Sequence, residues 1–353
     1  MEKETRIKVG ISHGDINGIG YEVILKSLLD QRIYEHLCPI VYGSSKLASY
    51  YRKTTNIAEF SFNMIKSSDA ANPKRANMIN VIQDEVKVEP GKQTETGGEM
   101  ALISLEAAVK DLKNNQIDVL VTAPINKKNI QSPDFHFPGH TEYLAERFET
   151  KDSLMIMVYN NVRIGVVTSH TPLNQVSSVI TEELLMHKIK IMHDSLQRDF
   201  NIPKPKIALL SINPHAGDEG VIGDEDQRII APTARKAFEE GMIVYGPYPA
   251  DGFFGSGNFN KFDGVLAMYH DQGLIPFKLI SNKEGVNFTA GLPIVRTSPA
   301  HGTAYDIAGK DKASASSFRS AMFLACDIFN NRLQWNELHA NPLKPAAFTD
   351  FGE

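Results

Sequence analysis

The sequence predicts an α/β protein, a largely parallel sheet covered by helices and divided into two α/β domains with a cleft between them. Short apolar runs alternate with amphipathic stretches along most of the chain, the pattern of strands joined by crossover helices. Most of the apolar runs end in glycine or polar residues, as buried strands do where they give way to loops. At 353 residues the chain also exceeds what one hydrophobic core normally organises.

In chain order, strands are expected at Ile7 to Ile11, Pro39 to Tyr42, Val119 to Thr122, Leu154 to Val158, Val162 to Val167, Ile207 to Ile212 and Gly264 to Met268. The glycine-rich opening SHGDINGIGYE follows the first of these and leads into a helix. Its Gly14, Gly18 and Gly20 have the wrong spacing for the dinucleotide fingerprint. They are read as a tight strand-to-helix connection, with Asp15 and Glu22 lining a cleft. A helix begins near Glu99, with Leu102, Leu105, Val109 and Leu112 on one face. A second follows Thr181, with Leu185, Ile189, Met192 and Leu196 aligned, and a third runs from Ala313 to Asn330 on a stripe of Phe318, Met322, Ala325 and Phe329. Segments 59–90 and 274–297 read as successive strands with an antiparallel portion. No repeat or linker interrupts the pattern, so the two domains share boundaries inside compact structure.

Composition narrows the function. A formal charge of −5 provides no electrostatic footprint for nucleic acid, and no apolar run reaches membrane-spanning length. The first residues, MEKETRIKVG, lack the apolar core of a secretory signal. Cys38 and Cys326 stand far apart in apolar segments, so a reducing cytoplasm is expected.

Three histidines carry the chemistry. His170 in VVTSHTPL, His215 in LSINPHAGDEG and His270 in LAMYHDQG each sit where an apolar run breaks into small polar residues, the position where open α/β sheets present ligands. Any one of them serves equally as a packing residue, but as a trio they define a candidate divalent-metal site with positions left for substrate. His140 precedes Thr141 at an expected helix start, suited to an anion, although a simple cap by Thr141 accounts for the same pattern. Lys278 in LIPFK and Arg296 in GLPIVRTSP are cations in apolar surroundings. Each needs either an internal carboxylate or a substrate anion as partner. Asn287 joins them as a candidate ligand group, with a turn role as the alternative. Asp271, next to His270, and Asp251, in GPYPADGFFG, are candidates to orient a ligand histidine or move a proton.

Taken together, GDINGIGYE, TAPINK, FPGHTEYLA, TSHTPL, NPHAGDEG, GPYPADGFF, YHDQGLIPFK and NFTAGLPIVRTSPAHGTAYDIAGK resemble, in order, the signatures of the 4-hydroxythreonine-4-phosphate dehydrogenase family. The resemblance implies a fold of the isocitrate and isopropylmalate dehydrogenase type. Residues 1–140 plus 292–353 would form the nucleotide-binding domain, and 141–291 the metal, substrate and dimerisation domain. It implies a homodimer whose active sites draw on both subunits. Metal ligands fall on His170, His215 and His270, and substrate positions on His140, Thr141, Lys278, Asn287 and Arg296. AHGTAYDIAGK is similar to the nicotinamide dinucleotide loop of those dehydrogenases, which places NAD (or NADP) at His301, Gly302, Thr303, Ala304 and Asp306.

The activity so implied is oxidation of 4-phosphohydroxy-L-threonine by NAD with one divalent metal (zinc, magnesium or cobalt), followed by loss of carbon dioxide, in pyridoxine 5'-phosphate biosynthesis. The opening departs from the family's usual GDPAGIGPE at Ile16, Asn17 and Tyr21, and His13 stands where Pro is common. Related dehydrogenases act on D-threonate or D-erythronate 4-phosphate and on dihydrodiols of aromatic acids, so substrate choice stays open. A metal-dependent hydrolase of a phosphorylated small molecule and a non-catalytic metabolite-binding protein are the other classes.

Overall fold

Apolar residues set the strands. Ile7–Ser12 (β1), Leu37–Gly43 (β2) and Val119–Thr122 (β5) are almost wholly buried along their length, as strands of a parallel sheet covered on both faces must be. The computed structural model describes residues 6–57 and 59–342. Asn63–Ile65 (β3), Asn77–Asn80 (β4), Leu154–Tyr159 (β6), Val162–Thr168 (β7), Lys206–Leu210 (β8), Ile243–Tyr248 (β9), Gly264–Tyr269 (β10), Val286–Ala290 (β11) and Arg296–Pro299 (β12) complete one 12-stranded sheet in the order β3-β4-β2-β1-β5-β12-β11-β6-β7-β10-β8-β9.

The pairings β12 to β11, β11 to β6 and β6 to β7 are antiparallel, and all others are parallel. Three successive reversals leave the two parallel flanks running in opposite directions, with an antiparallel centre between them. That centre carries the site.

The helices are Gly20–Leu28 (α1), Ile33–His36 (α2), Ser45–Thr54 (α3), Glu95–Lys113 (α4), His140–Arg147 (α5), Val176–Val179 (α6), Glu182–Arg198 (α7), Ala231–Glu239 (α8), Ala250–Gly255 (α9), His270–Ser281 (α10) and Ser316–His339 (α11). The expected stripes hold. In α7 the Thr181 hydroxyl accepts from the Leu184 amide at 3.2 Å, and Leu185, Ile189, Met192 and Leu196 are fully buried, each contributing about 1.5–3 kcal/mol. In α4 the cap is Thr94, several residues ahead of the expected start, while Leu105, Val109 and Leu112 face the core. Helix α11 buries Phe318, Met322 and Ala325 and continues past Asn330 to His339.

Three expectations change. Segment 59–90 does supply strands, but β3 and β4 pair parallel to each other and to β2. The start of segment 274–297 is helical, because LIPF belongs to α10, where Leu274 and Phe277 are buried while Ile275 is exposed. Only β11 and β12 supply the antiparallel pair there. Asp15 and Glu22 do not line a cleft; both are fully buried. Asp15 accepts from the Asn17 amide (2.8 Å), Asn129 Nδ2 (2.7 Å) and the Tyr305 hydroxyl (2.7 Å), tying together three loops, and Glu22 accepts from Lys26 and the Ala313 amide.

The glycine opening is as tight as expected. Gly14 has φ +70°, and a Cβ there would lie 2.3 Å from the Pro124 carbonyl oxygen; at Gly20 it would lie 2.1 Å from that of His13. The departures from the family opening pack on one another. His13 stacks on Tyr21 (5.0 Å), Tyr21 on Tyr51 (5.7 Å), and the Tyr51 hydroxyl donates to the Ile16 carbonyl. Burial pushes the His13 imidazole down to about 4, against a hydrogen bond to the Gly14 carbonyl that favours its charged form. Cys38 and Cys326 are free and buried. No helix among the described residues is long and apolar enough to cross a membrane.

Candidate active site

Period-two alternation turns one set of side chains from the central strands toward a cleft of about 320 Å³. Met155 and Met157 of β6 stand opposite Thr289 and Asn287 of β11; Asn287 faces Ser298 of β12, and Arg296 lies two residues before Ser298. The intervening residues Ile156, Phe288 and Thr297 face the opposite side and are buried in the core. The rest of the wall comes from Ala123 to Lys127, the start of α5, His170, His270, Lys278 and the His301–Gly302 turn.

Arg296 is 3% exposed, and its guanidinium reaches only hydroxyls: Thr122 at 2.7 and 3.1 Å and Thr289 at 3.2 Å. No carboxylate among the described residues lies within ion-pair distance of it. Burial lowers its pKa to about 10, with Glu142 pulling the other way, so the group stays charged at neutral pH. A buried cation served only by hydroxyls has room for an anion.

Beside it, α5 starts at His140 with Gly139 in the capping position and no side-chain cap, which leaves the His140 and Thr141 amides free for an anion. Thr141 lines the cleft without capping the helix, so the cap alternative falls. His140 is held well below the ordinary imidazole range, by burial first and then by the Arg296 and Lys127 charges. Its Nε2 is buried without a partner, as are Asn287 Oδ1, His301 Nε2 and Glu142 Oε2. Four orphaned polar atoms on the walls of one cleft mark a ligand's contact surface. Lys278 also lines the cleft but is exposed on α10. Its expected burial is corrected, because LIPFK lies in a helix and not a buried strand, and Lys278 falls on the outer face with Ile275 and Leu279 while Leu274 and Phe277 turn inward.

Two of the three expected metal histidines, His170 and His270, line this cleft; His215 does not. Each of these two imidazoles has Nδ1 on a carboxylate, His170 on Glu142 Oε1 at 3.2 Å and His270 on Asp271 Oδ1 at 2.7 Å. That arrangement frees Nε2 to ligate and is the usual support of metal-binding histidines. The donor chemistry therefore fits a divalent ion, yet no cluster of three or more His, Cys, Asp or Glu ligands forms among the described residues of one chain. His215 sits outside, exposed, in a run from His215 to Glu219 with five consecutive positive φ values. Left-handed backbone costs about 1–2 kcal/mol for each non-glycine residue and persists where the surroundings dictate it. Here Asp226 accepts from the Ile212 and Asn213 amides, and Glu225 holds Asn213. Asp251 is exposed on α9 and does not line the cleft.

A second cavity of about 500 Å³ adjoins the first, sharing Lys278, Ala300, His301 and Gly302, with Ile19, Ala304, Ile307 and Ala313 as an apolar wall. Burial lowers the His301 imidazole, opposed by its bond to the Gly302 carbonyl. The turn is seated on the glycine opening: the Ile19 amide donates to the Thr303 carbonyl at 3.0 Å. Thr303 and Asp306 line neither cavity.

Two cleft residues were not singled out from the sequence. Lys127 lies inside TAPINK with its Nζ 2.9 Å from His170 Nε2. Glu142 lies inside GHTE; burial pushes its carboxyl up, but the His170 bond, its own backbone amide and nearby charges outweigh that and hold it low. Both motifs were visible, but neither residue type stood out from ordinary surface charge.

The profile of a family described as pyridoxal phosphate biosynthetic protein PdxA matches residues 35–325. A 4-hydroxythreonine-4-phosphate dehydrogenase of Bacteroides thetaiotaomicron is 51% identical over 343 residues, spanning 97% of this chain and 94% of the relative. A relative from Oceanobacillus iheyensis with the provisional name D-threonate 4-phosphate dehydrogenase is 36% identical, over 91% of this chain and 97% of its own length. The crystal structure of 4-hydroxythreonine-4-phosphate dehydrogenase from Klebsiella pneumoniae superposes with a TM-score of 0.78 at 32% identity, covering 93% of this chain and 99% of that one. With the profile spanning most of the chain and the fold shared over 93% of it, the protein belongs to the PdxA family of pyridoxal phosphate biosynthetic proteins.

Proposed function

We propose that the protein is an oxidoreductase that converts 4-phosphohydroxy-L-threonine with NAD (or NADP) and one divalent metal per active site to 2-amino-3-oxo-4-phosphobutanoate. Loss of carbon dioxide then gives 3-amino-2-oxopropyl phosphate for pyridoxine 5'-phosphate biosynthesis. The observation that carries this reading is the buried, carboxylate-free Arg296 in the same cleft as two imidazoles whose Nδ1 atoms rest on carboxylates. When bound, the divalent ion acidifies the substrate hydroxyl and polarises the ketone, and the nicotinamide accepts the electron pair.

The chain's own residues do the rest. Arg296, the uncapped start of α5 at His140 and Thr141, Asn287 and Lys278 hold the phosphate and the amino acid portion. Kept neutral, His140 offers a hydrogen bond at Nε2 without adding a charge. Met155 and Met157 floor the cleft with apolar surface, which displaces water and strengthens every polar contact above it. Asp271 fixes the His270 ring, and Asp251 or Asp271 is the carboxylate assigned to proton movement, Asp251 from outside its own chain's cleft. His301, Gly302, Thr303, Ala304 and Asp306 are assigned to the dinucleotide; the apolar cavity lined by His301, Gly302 and Ala304 supports the assignment of those three, since it suits a flat ring.

The site is shared within a homodimer. Each metal histidine is followed by large apolar side chains in the open: Leu173 (74% exposed) after His170, Val221 (82%) after His215, Leu279 (80%) after His270. Apolar side chains left open in the segments that follow an incomplete ligand set are what an interface leaves on a single chain. Residues 1–140 with 292–353 form the nucleotide-binding domain and 141–291 the metal and dimerisation domain. Of these, residues 1–5, 58 and 343–353 lie outside those described.

The provisional name of the Oceanobacillus iheyensis relative favours a second substrate, D-threonate 4-phosphate, which carries hydroxyl in place of amine at C2. Near-ultraviolet absorbance of reduced nicotinamide, followed with each substrate, each nicotinamide and added metal, tests the proposal. Metal-dependent reduction with the amino substrate preferred is expected. No reduction with any phosphorylated hydroxy acid, alongside phosphate release, would instead mark a hydrolase.

A further inference from the structure

We propose that Glu142 and Lys127 make His170 a seat reserved for a cation: Glu142 fixes the ring with a bare Nε2 toward the cleft, and the Lys127 ammonium fills the divalent ion's place until metal displaces it. The inference rests on the reading of His170 as a metal ligand.

The two neighbours over-determine the ring. Glu142 Oε1, 3.2 Å from Nδ1, can only accept, so Nδ1 carries the hydrogen. Lys127 Nζ, 2.9 Å from Nε2, can only donate, so Nε2 carries the lone pair. The opposite tautomer would set hydrogen against hydrogen at one nitrogen and leave the carboxylate unserved at the other. The lone pair a metal needs is thus already aimed and is occupied by a positive group.

Lys127 has no carboxylate within ion-pair distance among the described residues, unlike Lys188, which is bound to Asp152. Its partner in this structure is the imidazole. Once displaced, the ammonium has acceptors at hand: Glu142 Oε2, buried and unpartnered, and the anionic end of a substrate held at Arg296. Metal loading and substrate capture are thereby linked through one side chain.

The test uses metal-stripped full-length protein and zinc alone, titrated against a chromophoric chelator. Glu142→Gln weakens zinc binding by about 10- to 100-fold. Lys127→Met tightens it by roughly tenfold, whereas Lys128→Met, which removes the same charge one residue along, leaves it unchanged. In metal-free wild type, ¹⁵N spectra of the His170 ring, identified with His170→Asn, show hydrogen on Nδ1 and none on Nε2. Hydrogen on Nε2, or a Lys127→Met affinity equal to wild type, overturns the proposal. If His170→Ala loses zinc while the Glu142 and Lys127 variants bind as wild type does, only this inference falls. If His170→Ala binds as tightly as wild type, the metal reading falls with it.

Discussion

At the Arg296 end of the cleft the anchoring side chains, Arg296 on β12 and His140 at the start of α5, are buried and sit on strand and helix-start positions of one chain. At the His170 and His270 end the imidazoles and their carboxylates are half open, with exposed apolar side chains in the same segments. The first end is organised before any ligand arrives; the second has two of three expected ligands in reach. Burial supplies orientation where the substrate's anion is to sit, and the proposed homodimer is what would supply the ligand that one chain leaves out.

The strongest way to break this contrast is Arg296→Met. A buried unpaired charge weakens the empty fold, so its apolar replacement should be neutral or stabilising by about 1–4 kcal/mol, with Tm unchanged or raised by thermal unfolding. The same change leaves the substrate anion without its partner and should lower kcat/KM by about 10²- to 10³-fold. A variant that lost stability and kept activity would remove the anion seat from the account.

Acid should find the buried histidines. His13 and His140 have folded pKa values below the unfolded value of about 6.5, so below that pH the unfolded chain binds protons that the folded chain refuses. Their stabilisation is complete above about pH 6.5 and is lost as pH falls. For His13, which titrates at about 4 when folded, the loss amounts to about 3 kcal/mol by that pH. Urea unfolding at stepped pH measures the slope, and His13→Leu should flatten it; an unchanged slope in that variant would assign the acid sensitivity elsewhere.

Lys278→Ala sharpens the contrast from the open side. An exposed cation contributes about 0.2–1 kcal/mol to an ion contact, so KM for the phosphorylated substrate should rise no more than about fivefold, with kcat unchanged. A loss as large as that at Arg296 would mean that Lys278 is buried in the working enzyme.

Legibility followed the same divide. Strand runs such as Val119 to Thr122 and the stripe of α7 were readable because burial imposes periodicity on the residues themselves. The segment holding Lys278 misled because LIPFK is continuous and apolar enough for a strand, and only packing turns Ile275 and Leu279 outward. Arg296 was found by its apolar setting, and the histidines by their place after strands. Lys127 and Glu142 were missed because their roles lie in what they touch across the sheet, which spacing along the chain does not encode. Asp15 was noticed but misplaced; two of its three partners, Asn129 and Tyr305, come from segments distant in sequence.

The shared metal site is the claim on which the two-ended cleft depends, and mixing variants tests it most directly. His170→Ala, His215→Ala and His270→Ala, each inactive but folded alone, are unfolded and refolded together in pairs, and turnover is measured. A site with ligands from two chains regains activity in two of the three pairings, and the silent pairing names the two histidines supplied by one chain. Recovery in none of the three, with dimers formed, would contradict a shared site.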